Sequence, residues 1–330
     1  MRALVTGGAG FLGHRLVERL LREGFAVTAV DDLSGGFLDH LEAARGNPNF
    51  TFRRGDVRVP ALVEELIDGV DVVFHLAGAV GVRRVAEDPA GTWSRNVEGT
   101  ASVLHACARH GVRVLTASTS EVYGTRATGM LSEDMPSIVE PAARRDVYAI
   151  SKLAGESLAL ALHRSALLPV TIVRPFNVVG PRQSDRYGMV LPRFARAAVA
   201  GEPLPVHGDG RQTRTFLHVD DAVEALLRLA RASASEGLVV NVGGTDEVSI
   251  LELANLVIGR AGGPGAGPGV RFVPFEEVYG EGFADPSHRR PDVSRLVALT
   301  GFAPAKTLAD AIDDALACAR VEARTAVART

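Results

Sequence analysis

The hydrophobic pattern of the first part of the chain repeats one unit, a short apolar run followed by an amphipathic stretch. The apolar runs predict β-strands at 2–6, 25–30, 50–54, 71–76, 112–117 and 169–174. Between them, the spacing of apolar residues predicts helices at 10–23, 60–68, 91–110 and 146–164. Strands that are apolar along their whole length are typical of a parallel sheet covered by helices on both faces. We therefore expect an α/β fold built on a doubly wound parallel sheet of the Rossmann type.

The composition of the sequence changes after Pro175: proline and glycine become frequent, and the predicted helices and strands become shorter. A helix at 219–232 and an apolar strand at 238–242 then repeat the unit of the first part, which predicts a return to the main sheet. We therefore expect a smaller C-terminal substrate lobe that is interleaved with the main domain. The predicted division is a Rossmann domain at 1–175, with 215–242 returning to it, and a substrate-binding lobe at 176–214 and 243–330.

Charge and cysteine content argue against several classes of protein. The 330 residues carry a formal net charge of -3 without a run of like charges, so nucleic acid is not an expected partner. Cys107 and Cys318 make no disulfide framework or metal motif, and the histidines show no paired metal spacing. The N-terminus runs directly into an apolar strand, and no stretch reaches membrane-spanning length. We expect a cytoplasmic protein that binds neither a metal nor a membrane.

The turn after the first predicted strand carries three glycines, Gly7, Gly10 and Gly13, with Phe11 and Leu12 between the last two. Glycine permits a tight turn and lets backbone N–H groups approach a diphosphate at a helix N-terminus. Because this turn follows a strand and opens a helix, its glycine spacing predicts a dinucleotide site.

An acidic pair, Asp31 and Asp32, follows the second predicted strand. We expect Asp31 to accept hydrogen bonds from the adenosine ribose of the dinucleotide. A carboxylate there repels a 2′-phosphate, and no arginine or lysine follows until Arg45, so the sequence favours NAD over NADP. After the third strand, Asp56 and Val57 are expected to flank the adenine.

The pentapeptide from Tyr148 to Lys152, YAISK, contains one of only two lysines in the chain, the other being Lys306. A tyrosine and a lysine one helical turn apart lie on the same face of a helix. The ammonium group stabilises the phenolate and lowers the tyrosine pKa, so that the tyrosine acts as a base near neutral pH. This spacing therefore predicts a catalytic pair.

Further motifs extend over nearly the whole chain. They are TGGAGFLG at 6–13, GDV at 55–57, HLAG at 75–78, NVEGT at 96–100, STSEVYG at 118–124, YAISK at 148–152, RPFNVVGPR at 174–182 and GDGRQTRTFLHVDD at 208–221. In these motifs the chain resembles the extended short-chain dehydrogenase/reductases that act on nucleotide sugars. The resemblance implies NAD as cofactor, a nucleotide-sugar substrate, and a homodimer in which the helices at 91–110 and 146–164 pair.

The resemblance also implies roles for single residues. Tyr148 is the expected base that takes the proton of the sugar 4-hydroxyl while carbon 4 gives a hydride to NAD. Lys152 is expected to hold the nicotinamide ribose, and Thr119 to hydrogen-bond the 4-hydroxyl. The remaining residues implied at the cofactor are Leu76, Ala77, Gly78 and Asn96, and those at the nucleotide of the substrate are Asn177, Leu191, Val206 and Arg214. Arg214 is the expected ligand of the substrate diphosphate because its guanidinium group forms two charge-assisted hydrogen bonds.

Glu121 and Arg289 distinguish among the reactions of this family. Glu121 lies two residues after Thr119 in what we interpret as an extended segment, so both side chains point toward one pocket. Decarboxylases and dehydratases use a carboxylate there, whereas epimerases do not need one. The stretch 279–292 is similar to the C-terminal lobe of the UDP-glucuronic acid decarboxylases, in which the arginine aligned with Arg289 reaches the active site. With Ser120, these residues are expected to position the sugar carboxylate.

The sequence thus favours an NAD-dependent UDP-glucuronate decarboxylase that forms UDP-xylose, UDP-4-keto-pentose or both. Two alternatives begin with the same oxidation, 4-epimerisation and 4,6-dehydration. Ser120 stands where the dTDP-glucose dehydratases have aspartate. In the other direction, the chain has YAISK where many xylose-forming decarboxylases have YDEGK. A catalytically inactive NAD-binding regulator is a further alternative, which Thr119, Tyr148 and Lys152 argue against.

Overall fold

The computed structural model describes residues 1–143, 146–186, 188–262, 269–280 and 285–327. Part of the stretch 279–292, on which the similarity to the decarboxylases rests, lies outside the described residues. Among the described helices, none is both long and apolar enough to cross a membrane.

Strands and helices alternate along the chain, as the hydrophobic pattern predicts. The strands are β1 (Arg2–Thr6), β2 (Ala26–Asp31), β3 (Phe50–Arg54), β4 (Val72–His75), β5 (Arg113–Ala117), β6 (Met130–Leu131), β7 (Val170–Pro175), β8 (Val178–Val179), β9 (Leu204–His207), β10 (Thr213–Thr215), β11 (Leu217–His218), β12 (Leu238–Val242), β13 (Glu247–Ser249), β14 (Val270–Val273) and β15 (Arg290–Pro291). The helices are α1 (Phe11–Arg22), α2 (Pro60–Ile67), α3 (Val82–Glu87), α4 (Pro89–His110), α5 (Asp146–Ala166), α6 (Val190–Ala200), α7 (Val219–Arg231), α8 (Ile250–Gly262), α9 (Phe275–Tyr279), α10 (Ser294–Thr300) and α11 (Leu308–Val327).

The main sheet confirms the doubly wound prediction. Within the described residues it has seven strands in the order β12-β7-β5-β4-β1-β2-β3, and every neighbouring pair is parallel. The chain order reverses between β1 and β4. At such a switch point the loops after the two strands separate and leave a crevice at the carboxyl edge of the sheet.

Helices cover both faces of the sheet and bury its apolar side chains. On one face, α1 and α7 pack over the strands through residues such as Leu16 and Leu226. On the other face, α2, α4 and α5 do so through residues such as Ile67, Leu104 and Ala159. Strands buried on both sides explain why their sequences are continuous apolar runs.

The ends of the predicted helices lie within two residues of the observed ones. The predicted helix at 91–110 begins at Pro89 instead, because the Asp88 side chain accepts a hydrogen bond from the Gly91 N–H and proline suits a first helical position. The sequence prediction did not contain α3, a helix of six residues that lies between β4 and α4 in the chain.

A second apolar core lies under the C-terminal part of the chain. It is built by α6, α8, α11 and β9, with Phe194, Leu253 and Leu316 fully buried. Strand β12 belongs to the main sheet, where it pairs with β7. The division of the chain into two lobes at the predicted boundaries stays a prediction.

Candidate active site

A cavity of about 500 Å³ extends from the crevice at the carboxyl edge of the sheet to the C-terminal part of the chain. It brings together most of the predicted site residues. Those at its wall are Gly7, Gly10, Phe11, Leu12, Gly13, Asp31, Asp32, Asp56, Val57, Leu76, Ala77, Gly78, Thr119, Ser120, Glu121, Tyr148, Lys152, Asn177, Arg214 and Arg289. Asn96, Leu191 and Val206 are not at the wall.

The glycine turn between β1 and α1 has a shape that side chains would block. Gly7 adopts a positive φ of 70°, and a Cβ on it would lie 2.8 Å from the backbone nitrogen of Ala77. A Cβ on Gly13 would collide with the carbonyl oxygen of Gly7. Helix α1 begins after Gly10, and no side chain caps it. The backbone N–H groups of its first turn therefore point out of the helix end that borders the cavity. This bare helix N-terminus fits the diphosphate of a dinucleotide.

Asp31 is held at the end of β2 by two backbone N–H groups, from Ala9 at 3.0 Å and from Leu33 at 2.8 Å. Burial raises the pKa of Asp31, and these two hydrogen bonds counteract the rise. The sequence analysis missed Arg84, which reaches this end of the cavity and donates to the Ser34 hydroxyl at 3.1 Å. Fifty positions separate the two residues, and no sequence signal connects them.

Lys152 lies deep in the cavity wall, where Nζ donates to the carbonyl oxygen of Ala117 at 2.9 Å. A Cβ on Gly78 would be 3.0 Å from Nζ, so only glycine leaves space between this lysine and the cavity. Burial lowers the pKa of Lys152 to about 8, and the negative charge of Glu156 opposes that shift. Asn96 lies behind Gly78, where its amide oxygen accepts the Ala79 N–H at 2.8 Å. It thus supports the cavity wall through the backbone.

Tyr148 is buried and hydrogen-bonds the side chain of Thr119. Its pKa is raised, first by burial and then by the negative charge of Glu121, whereas the hydrogen bond from Thr119 and the charge of Arg289 act in the lowering direction. The sequence prediction of a lowered tyrosine pKa is therefore not met in the protein alone. The physical reason is that the Lys152 ammonium group donates to the Ala117 carbonyl instead. Burial of Tyr148 also outweighs the positive charge of Arg289.

Glu121 and Arg289 meet at this end of the cavity, with Nη1 of Arg289 3.7 Å from Oε1 of Glu121. Both side chains are largely buried. The predicted extended segment is wrong, because Ser120–Tyr123 forms a turn of 3₁₀ helix whose N-cap is Thr119. Arg289 is positioned by the parallel pairing of β15 with β6, reinforced by the Asp292 N–H, which donates to the Leu131 carbonyl at 2.8 Å. Two residues 168 positions apart therefore share one pocket.

The nucleotide end differs from the prediction by one residue at two places. Leu191 and Val206 are buried in the core of the C-terminal part. Along β9 the side chains alternate, so Val206 faces that core and the neighbouring His207 faces the cavity. On α6, Val190 is at the wall and Leu191 is turned inward. The alternation of β9 was the sequence signal that could have identified His207.

Further residues at this end were missed by the sequence analysis. His207 hydrogen-bonds the Tyr279 hydroxyl through Nδ1 at 3.1 Å, and burial lowers its pKa to about 4. The half-buried Arg193 and Phe275 also line the cavity. Arg214 forms an ion pair with Asp285 at 2.6 Å. The cavity therefore offers cationic and aromatic side chains of the kind that bind a diphosphate and a base.

Comparison with known proteins agrees with this geometry. The model of the NAD dependent epimerase/dehydratase family matches residues 3–243. The chain is 40% identical over 306 residues to a UDP-N-acetyl-alpha-D-glucosaminuronate decarboxylase of Bacillus cytotoxicus, covering 92% of each chain. It is 37% identical to UDP-glucuronic acid decarboxylase 2 of Arabidopsis thaliana, over 93% of this chain and 66% of that protein. A UDP-glucose 4-epimerase of Mycolicibacterium smegmatis is also 37% identical, over 94% of this chain and 96% of its own.

A solved structure shares the whole fold. The UDP-glucuronic acid 4-epimerase of Bacillus cereus, in complex with UDP-glucuronic acid and NAD, superimposes with a TM-score of 0.87 at 29% identity, covering 98% of this chain and 100% of that one. Family match, relatives and fold agree with the bare helix N-terminus and the carboxylate that follows β2. The chain belongs to the NAD-dependent epimerase/dehydratase family of extended short-chain dehydrogenase/reductases, and its cofactor is NAD.

Proposed function

We propose that the protein is an NAD-dependent decarboxylase of UDP-linked hexuronates, with UDP-glucuronate as the first candidate substrate. The pairing of Arg289 with Glu121 beside Tyr148 carries this proposal. A guanidinium group binds a carboxylate through a planar fork, so Arg289 is suited to hold the carboxylate at sugar carbon 5. A neutral sugar would offer this buried arginine no carboxylate to bind.

In the proposed first step, Tyr148 takes the proton of the sugar 4-hydroxyl, and Thr119 hydrogen-bonds the same hydroxyl. NAD supplies the hydride acceptor at carbon 4 and, in its oxidised form, a positive charge at the nicotinamide ring. Lys152 adjoins Gly78 in the cavity wall, where it can bind the nicotinamide ribose. The glycine turn and Asp31 are proposed to hold the diphosphate and the adenosine ribose, and Asp56 and Val57 to flank the adenine.

In the proposed second step, the 4-keto sugar is a β-keto acid, and it loses the carboxylate of carbon 5 as carbon dioxide. The electrons of the broken bond pass into an enolate. The protonated Tyr148 stabilises the enolate oxygen on carbon 4. Arg289, Glu121 and Ser120 orient the departing carboxylate and manage the proton that carbon 5 then accepts. With NAD bound, return of the hydride to carbon 4 would give UDP-xylose, whereas release of the keto sugar before that return would give UDP-4-keto-pentose.

At the nucleotide end we propose that Asn177 and Arg214 contact the substrate, while Arg289 contacts its sugar. Leu191 and Val206 contribute as the packing beneath this subsite, while the direct side-chain contacts are assigned to their neighbours Val190 and His207. We further propose a cytoplasmic homodimer in which α4 and α5 pair with their copies in a second chain. Trp93 on α4 is 42% exposed, which agrees with a further layer on this helix pair.

A UDP-sugar 4-epimerase is the second candidate function. The M. smegmatis and B. cereus relatives carry epimerase names, and the B. cereus enzyme binds UDP-glucuronic acid without being named a decarboxylase. The YAISK sequence of α5 also favours this candidate. An epimerase returns the hydride to the opposite face of carbon 4 and keeps all atoms of the sugar.

The deciding experiment incubates the purified protein and NAD with UDP-glucuronate and, in parallel, with UDP-N-acetylglucosaminuronate, followed by mass spectrometry of the nucleotide sugars. We expect a product that has lost one carbon dioxide, and we expect none with the Tyr148→Phe variant. The preferred substrate identifies the uronate. A product of unchanged mass that differs in chromatographic mobility would replace the decarboxylase proposal by the epimerase one.

A further inference from the structure

A buried carboxylate, Glu156, lies one helical turn after Lys152 on α5 and has no place in the proposed chemistry. Arg174 on β7 donates two hydrogen bonds to this carboxylate, from Nε to Oε1 at 2.9 Å and from Nη2 to Oε2 at 2.7 Å. The Ser118 hydroxyl donates to Oε1 as well. All three side chains are buried. Such a fork binds the ionised form of a carboxyl group, so Glu156 places a negative charge inside the protein.

The partners of Glu156 leave its carboxylate little freedom. The Arg174 guanidinium group stacks on the Tyr123 ring, 4.8 Å from its centroid, and the Tyr123 hydroxyl donates to Asn241 at 2.7 Å. Ser118 follows β5 directly and also lines the large cavity. The carboxylate is thus fixed between the sheet and the active site.

A small cavity connects Glu156 with Lys152. It has a volume of about 10 Å³ and is lined by both side chains together with Thr100, Thr116 and Ser118. That volume accommodates about one water molecule, and the lining supplies the polar partners that a buried water needs. On the other side of Lys152, Nζ donates to the Ala117 carbonyl. The ammonium group of Lys152 thus donates to the Ala117 carbonyl and shares one small cavity with the Glu156 carboxylate.

We propose that Glu156 is the positioning residue of the catalytic pair: held by Arg174 and Ser118, it keeps Lys152 charged in the wall of the cofactor cavity. The effect reaches the substrate only through Lys152 and Tyr148. This inference rests on the proposed roles of those two residues, and it adds a third member, one more turn along the same helix.

The charged surroundings of Lys152 support this role. Burial lowers the pKa of Lys152, and Glu156 is the group that opposes this effect. His75 on β4 is also nearby, but it is neutral at physiological pH because burial lowers its pKa to about 3, and its ring hydrogen-bonds Thr6 and Thr100. The other titratable or charged groups that face the Lys152, Glu156 and Tyr148 cluster from neighbouring elements are Arg174, Tyr123, Glu121 and Arg289.

The lysine content of the chain makes a direct test possible. With lysine that carries an NMR-visible carbon isotope at Cε, only Lys152 and Lys306 give signals, and the Lys306→Arg variant assigns them. The wild-type Lys152 signal should titrate with a midpoint near pH 8. In Glu156→Gln the midpoint should fall by about one pH unit or more, as expected when a neighbouring opposite charge is lost. Glu156→Asp keeps the charge and should restore most of the shift.

The controls separate this role from support of the fold. In Glu156→Gln the buried Arg174 loses its carboxylate partner. The double variant Glu156→Gln/Arg174→Gln removes this unpaired charge as well, and its Lys152 should show the same lowered midpoint. An unchanged Lys152 midpoint in either folded variant would overturn the proposal. In the pH profile of sugar oxidation, the limb at high pH should move to lower pH in Glu156→Gln. A rate that falls equally at every pH would also overturn it.

The two proposals fail in different ways. A protein that releases no carbon dioxide from any uronate would refute the proposed function, while the lysine titration would still report on Glu156. An active decarboxylase whose Lys152 titrates alike in wild type and Glu156→Gln would refute the role of Glu156 alone.

Discussion

We expect His14 to make the protein sensitive to acid. Its side chain is fully buried, and Nδ1 donates to the Gly10 carbonyl at 2.9 Å. Its ring lies 4.4 Å from that of His40, which donates to the Ala9 carbonyl in the same turn. Burial, together with the positive charge of Arg182, lowers the pKa of His14 to about 3. The glycine turn is therefore held by an imidazole that must stay neutral.

The size of the effect follows from the shift. An unfolded histidine takes up a proton below pH 6.5, but folded His14 does so only near pH 3, so stability is lost as the pH falls between these values. A pH of 4.5 lies about 2 units below the pKa of the unfolded histidine, and each unit stabilises the unfolded state by about 1.36 kcal/mol. His14 alone should then reduce the free energy of unfolding by about 2.7 kcal/mol relative to neutral pH.

The assay is urea unfolding followed by circular dichroism between pH 7.5 and pH 4.5, roughly the range over which such a histidine acts. His14→Asn keeps a side-chain N–H for the Gly10 carbonyl and cannot be protonated, so its free energy of unfolding should fall by about 2.7 kcal/mol less than that of wild type. His105→Asn is the matched control, because His105 is exposed and folding does not remove it from water. Equal pH dependence of His14→Asn and wild type would refute the reasoning.

Three further predictions concern the cofactor and the chemistry. Tyr148→Phe should abolish sugar oxidation while NADH still binds, as measured by NADH fluorescence; residual turnover at the wild-type rate would exclude Tyr148 as the base. Arg289→Ala should leave NAD affinity unchanged and lower the rate of carbon dioxide release by roughly 10²-fold or more, the scale for loss of an electrostatic partner; normal release would remove Arg289 from the mechanism. Asp31→Asn should weaken NAD binding by about tenfold, since hydrogen bonds to a charged group are lost; unchanged affinity in titration calorimetry would limit Asp31 to its contacts with Ala9 and Leu33.

The fold was predictable because the information is local. The inner strands of the main sheet are buried on both faces, so a continuous apolar run marks each of them, and glycine or proline marks its end. The predicted strands 50–54 and 238–242 agree with β3 and β12 residue for residue. The glycine turn was predictable for the same reason, since its function requires missing side chains at fixed spacing.

The rest of the site depends on side-chain direction and on contacts between distant segments. A one-residue error on β9 exchanged the core-facing Val206 for the cavity-facing His207, because neighbouring side chains of a strand point to opposite sides. Arg84 reaches the end of the cavity near Asp31 from helix α3, and no spacing rule connects the two residues. The resemblance to a family supplied Arg289, whereas composition and periodicity did not.

The pKa of Tyr148 distinguishes the roles of the two groups that define the proposed decarboxylation. Glu121 raises this pKa and Arg289 lowers it. A base must be deprotonated to act, so Glu121→Gln should move the limb at low pH in the profile of sugar oxidation to lower pH. Arg289→Ala should move the same limb to higher pH, because the phenolate then loses a positive neighbour.

The measurement is a single turnover of NAD to NADH with UDP-glucuronate, followed by absorbance in a stopped-flow instrument across the pH range. Opposite shifts are the required result, since the two charges have opposite sign and act on one phenol. If both variants move the limb in the same direction, Glu121 and Arg289 do not control the protonation of Tyr148, and their buried pair serves the carboxylate of the substrate alone. If they move it in opposite directions, the charges of Glu121 and Arg289 together set the pH at which oxidation of the uronate begins.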